Sequence, residues 1–175
     1  SEDRSVPRKR VPGAIFRRFH KLYRTLTGPI SRTVIDKRKQ YNLAAAMRIK
    51  GMALFRLGRT AEAPEWLENS LRLFSFLKAG DYVPLVEMEL GLINYLLGNH
   101  EAAIKFYRSA SATWEADGNL GWLATLLNNL GVLYHQRGEY ENAFRTFEQA
   151  IESSGRSINA RIQAVAQSSL GDLLV

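Results

Sequence analysis

Cysteine is absent from the 175 residues, which excludes a disulfide framework, a thiolate zinc site and a cysteine nucleophile. The absence fits a cytoplasmic protein without deciding the compartment, since many secreted chains also lack cysteine. No apolar run approaches the ~20 residues that span a bilayer, and the first residues do not read as a signal peptide. No membrane span is therefore expected. Alternating strand patterns flanked by hairpin turns are missing too. What is present, 46% hydrophobic and 23% charged residues, lies near the globular average and gives room for one domain of ordinary size. The chain begins at Ser1 and stops on Leu173-Leu174-Val175 in mid-pattern, which reads as a piece of something longer.

Internal repetition dominates what is there. Gly51, Gly91, Gly131 and Gly171 stand 40 residues apart. Seven residues after the first three come Gly58, Gly98 and Gly138, and twelve after come Ala63, Ala103 and Ala143. Sixteen after come the large apolar Leu67, Tyr107 and Phe147; nineteen after come the small Ser70, Ala110 and Ala150. Each unit reads as two helices. Leu126, Leu127, Leu130, Leu133 and Tyr134 recur at helical spacing until Arg137-Gly138 stops them; Tyr140, Ala143, Phe144, Phe147, Ala150 and Ile151 then repeat it. Met47–Leu57 with Ala61–Leu77, and Leu85–Leu97 with Glu101–Trp114, behave alike. Asp81 ahead of Pro84, and Asn159, are expected to start helices. The fold class is all-α.

Leu130-Gly131, Tyr134, Gly138, Tyr140, Ala143, Phe147 and Ala150 resemble the signature of the tetratricopeptide repeat family at its own internal spacing. Two departures stand out: a period of 40 rather than the commoner 34, and Gly155 near the place of the helix-ending proline. The resemblance implies an α-α superhelix, a solenoid of antiparallel helix pairs. Its repeats are 41–80, 81–120 and 121–160, with the first helix of a fourth at 161–175. Small residues let the paired helices approach, while Tyr134 and Phe147 fill gaps between units. Long repeats of this kind occur in GoLoco-binding polarity scaffolds and in the sensor segment of MalT-like signal-transduction ATPases that regulate transcription. Leu127-Asn128-Asn129-Leu130-Gly131 looks most like the bacterial regulators. The resemblance thus implies a sensory or scaffolding segment, with an attached ATPase or DNA-binding domain, that binds a protein or peptide and needs no cofactor.

In that architecture the first helices of successive units line a concave groove that takes the partner. Positions three before, one after and four after each repeat glycine share one stripe. They are Arg48, Met52 and Phe55; Met88, Leu92 and Tyr95; Asn128, Val132 and His135; then Ser168 and Asp172. Apolar contacts and scattered polar groups suit an extended or helical peptide. Asn128 offers donor and acceptor together to a peptide backbone, or is tolerated polarity near a helix start. Arg48 is positioned for a partner carboxylate or for solvent. The carboxylate clamp of chaperone-binding members is not reproduced.

Nothing in the sequence points to an enzyme. His20, His100 and His135 fall on separate elements, without ligand spacing for a metal. Glu87/Glu89 and Glu139/Glu141, spaced by two, read as solvated charge. Gly118-Asn119-Leu120-Gly121 has no preceding strand and no Gly-Lys-Ser/Thr, so it is not a phosphate loop. Trp66, Trp114, Trp122, Phe74 and Phe76 are expected in seams between repeats.

Residues 1–40 do not fit the repeat. They hold twelve Lys/Arg against three acids, a net +9, whereas residues 41–175 hold twelve against fourteen, a net −2. One amphipathic helix is expected over about 13–27: Ile15, Phe16, Phe19, Leu22, Tyr23 and Leu26 form its apolar stripe, opposite Arg17, Arg18, Lys21 and Arg24. Three readings of this basic arm stay open. It caps the first repeat, as solenoid ends require; it is a linker from a preceding domain; or it meets nucleic acid or an acidic membrane through Arg8, Lys9, Arg10, Arg17, Arg18, Lys21 and Arg24. The shared apolar stripe favours packing over base stacking. After Gly28-Pro29, Ser31 or Thr33 is expected to start a long helix through Tyr41 to Leu57.

Overall fold

A computed structural model describes residues 37–156 and 160–174, which belong to the second of the two units of the chain, Asp36–Val175. The features expected of the arm ahead of Lys37, including its amphipathic helix and all seven of its proposed basic contacts, lie outside the described residues. So does Asn159 as a cap.

Seven α-helices account for nearly all of what is described, and no strand occurs among the described residues. They are α1 (Lys37–Arg56), α2 (Ala63–Phe76), α3 (Val83–Leu96), α4 (His100–Ala116), α5 (Leu120–Gln136), α6 (Tyr140–Arg156) and α7 (Ala160–Leu173), with a 3₁₀ turn at Thr60–Glu62 before α2. The pairs α1/α2, α3/α4 and α5/α6 are the three repeats, and α7 begins a fourth. α1 starts at Lys37, so the last residues assigned to the arm are helical and run straight into the first repeat.

The repeat glycines are where paired helices come closest. A Cβ on Gly51 would sit 2.8 Å from Leu67 Cγ, one on Gly91 2.4 Å from the Tyr107 ring, and one on Gly131 2.6 Å from the Phe147 ring. The large residue sixteen positions on therefore lies across the glycine of its own unit. Phe147, expected between units, packs within one. The helix ends obey a second rule. Gly58, Gly98 and Gly138 take φ of +77°, +78° and +75°. The next N–H in each case bonds the carbonyl five residues back: Arg59 to Leu54 at 2.9 Å, Asn99 to Asn94 at 2.8 Å, Glu139 to Tyr134 at 2.9 Å. This left-handed closure satisfies orphan carbonyls and reverses the chain in very few residues. Helix starts are plainer: α3, α4 and α5 lack a side-chain cap, and Tyr82 rather than Asp81 holds the position before α3, with Pro84 in its first turn.

Two apolar clusters form the core. One joins Ala44, Leu54, Ala63, Leu67 and Phe74 to Val86, Leu90 and Ile93 of the second unit. The other runs from Ala103, Tyr107 and Trp114 through α5 and α6 to Ala166 of α7. Both cross between units, so no helix pair is buried by itself. The tryptophan expectation divides: Phe74 and Trp114 are buried in seams, whereas Phe76 and Trp122 are exposed.

Candidate functional site

First helices touch directly at the first and third seams, α1 on α3 and α5 on α7. The second helices α4 and α6 instead form opposite walls of a groove whose floor is Leu123, Leu127, Leu130 and Tyr134 of α5. A stack whose first helices are in contact while its second helices stand apart curves toward the first helices. The nine stripe positions lie on the first helices α1, α3 and α5.

Every one of Arg48, Met52, Phe55, Met88, Leu92, Tyr95, Asn128, Val132 and His135 is half-buried. Met52 and Phe55 lean on the first core cluster, and Met88, Tyr95 and Val132 on the second. Each therefore has a packed side that fixes it and an open side that can meet a ligand. Ser168 and Asp172, on α7, are exposed. Two of the stripe residues have ring neighbours on the following helix: Tyr95 lies 6.1 Å from His100, and His135 5.9 Å from Tyr140. The two units thus present the same pair of rings with the partners exchanged.

Arg48 is already engaged. Its Nε donates to Glu89 Oε2 at 2.8 Å and its Nη2 to Glu89 Oε1 at 2.5 Å, a fork that ties α1 to α3. Glu89 is not solvated charge but 6% exposed. Burial pushes its carboxyl above the usual range, and the Arg48 guanidinium pulls it part of the way back. Glu87 differs as well. Burial raises it, Ser109 Oγ donates to its Oε1 at 2.7 Å, and Oε2 is buried without a described partner. Glu139 and Glu141 do pair at the surface, with Arg137 and Arg145.

Between α5 and α7 lies a smaller cavity that mixes polar and apolar side chains. Thr125, Asn128 and Asn129 of α5 and Arg161, Ile162 and Val165 of α7 enclose about 370 Å³. Asn128 Oδ1 is buried there with no described hydrogen-bond partner. Sequence reasoning missed Glu89. The signal was its register, two residues before the repeat glycine in the polar column of Asn129 and Ser169: Glu89 meets the preceding unit through Arg48, whereas Asn129 borders α7 of the next.

No group of three or more His, Asp or Glu able to hold a metal occurs among the described residues. No described helix is long and apolar enough to cross a membrane. Residues 82–154 match a tetratricopeptide repeat family profile, and residues 33–78 match a second profile of the same description. Comparison with curated proteins gives no significant match. Among solved structures the chain is similar to BtubC (BKLC) from P. vanneervenii, with a TM-score of 0.65 and 22% identity over 93% of this chain and 69% of that one. At that identity the likeness concerns the fold.

Proposed function

The chain belongs to the tetratricopeptide repeat family, and from that premise we propose that it is a non-catalytic module whose inner face grips an extended or helical polypeptide. The observation that carries the reading is the row of nine half-buried side chains on α1, α3 and α5. Met52, Phe55, Met88, Leu92 and Tyr95 offer apolar contact along the first two units, and Asn128 offers an amide to a peptide backbone beside Arg161. Arg48 holds Glu89, so it shapes the groove wall rather than receiving a partner carboxylate. The phrase Leu127-Asn128-Asn129-Leu130-Gly131 supports a place inside a larger bacterial regulatory protein, where binding changes how units stack and passes a signal to attached domains. That protein is read as cytoplasmic.

A random peptide library displayed on phage tests the reading. Selected peptides should lose roughly tenfold or more in affinity on Tyr95→Ala and on Asn128→Ala, at unchanged helix content by circular dichroism. No enrichment, or peptides indifferent to both substitutions, contradicts it.

A further inference from the structure

Equivalent residues stand 40 positions apart, so the seams between units can be compared side chain by side chain. At the first seam Phe74 of α2 and Tyr82, just before α3, stack at 4.9 Å with their planes 22° apart. Tyr41 of α1 meets both edge-on, at 5.4 Å and 5.2 Å, and closes a three-ring cluster. At the second seam the two stacking positions hold Trp114 of α4 and Trp122 of α5, 5.6 Å apart and again at 22°. The residue 40 beyond Tyr41 is Asp81. A carboxylate thus stands where the first seam has its third ring. A cavity of about 540 Å³ opens there, lined by Asp81, Leu85, Asp117 and both tryptophans. The third seam has Ser154 and Ile162 at the stacking positions and so carries no ring pair.

We propose that this cavity binds the lysine or arginine side chain of a polypeptide partner. Trp114 is 4% exposed and Trp122 46%, so the buried indole braces one that is half open to solvent. Tryptophan is the best of the aromatic partners for a cation. Asp81 and Asp117 are exposed, and neither belongs to an ion pair among the described residues. Two carboxylates repel an anion and leave a purely apolar occupant facing uncompensated charge. A cation on a methylene stem suits both parts of the lining: Leu85 and the indole for the stem, the aspartates for the head. The assignment does not rest on the inner-face stripe, because none of the nine stripe residues lines this cavity.

The test is an NMR titration of ¹⁵N-labelled protein with N-acetyl-Gly-Arg-Gly-amide and with the same peptide carrying citrulline, which keeps the shape and loses the charge. The Trp122 indole N–H should move saturably with the arginine peptide, and the citrulline peptide should bind about fivefold more weakly or worse. The Asp81→Asn/Asp117→Asn variant should weaken the arginine peptide roughly tenfold, and Trp122→Leu should abolish binding. Both aspartates are exposed, so the double variant stays informative even if Trp122→Leu disturbs the seam. No shift with either peptide, equal binding of the citrulline peptide, or unchanged binding by the double asparagine variant overturns the proposal.

Discussion

Lys78 takes a φ of 55°, the only non-glycine positive φ among the described residues. It occupies the turn between units that Gly118 holds 40 residues on with a φ of +68°, and the same closure follows both, Ala79 N–H to Phe74 O at 3.0 Å and Asn119 N–H to Trp114 O at 2.8 Å. A Cβ in that conformation is strained, so Lys78→Gly should stabilise the fold by about 1 kcal/mol in urea unfolding. Gly131→Ala should do the opposite. Its methyl would enter the Phe147 ring, at a cost of about 2 kcal/mol, and Phe147→Leu should recover part of the loss when combined with it. Glu87 supplies a pH test. Its carboxyl is raised in the folded state by burial, so the folded protein holds that proton more tightly than the unfolded chain. The contribution is fully present below the unfolded value and is lost as pH rises through the folded one. Glu87→Gln should therefore raise Tm at pH 7 and change it little at pH 4.

Between elements, the Arg48–Glu89 fork decides how α1 sits on α3. Arg48→Ala leaves a buried carboxylate without its counter-charge, which should cost about 3 kcal/mol. Amide exchange should accelerate in α1 and α3 and stay unchanged in α5 and α6. Replacing both partners, Arg48→Met with Glu89→Leu, should restore most of the stability. Helix positions were legible from sequence because glycine and alanine at a period of 40 mark close approach and turn closure, both backbone requirements. The polar interior was not. A glutamate two residues from another looks solvated on one helix, and only the packed helices show that Glu89 faces Arg48 of the preceding unit while Glu87 faces Ser109 of its own. Trp122 likewise reads as core by type, yet its exposure depends on Asp81 standing at the position that Tyr41 fills one unit earlier.

Across the described unit, the two faces of the stack differ in kind. The first helices α1, α3 and α5 present half-buried apolar and amide side chains, with a mixed cavity between α5 and α7. The outer groove between α4 and α6 has walls carrying Arg108, Glu115, Arg145 and Glu152 above buried leucines. On the proposed reading a polypeptide ligand gains apolar contact along the first helices and chiefly screened surface charge in the outer groove. Backbone NMR of the protein with a library-selected peptide separates the two directly. Shifts should concentrate on Met52, Phe55, Met88, Leu92, Tyr95, Asn128 and Val132, with α4 and α6 largely undisturbed. Perturbations confined to α4 and α6 and sparing the inner stripe would contradict the account.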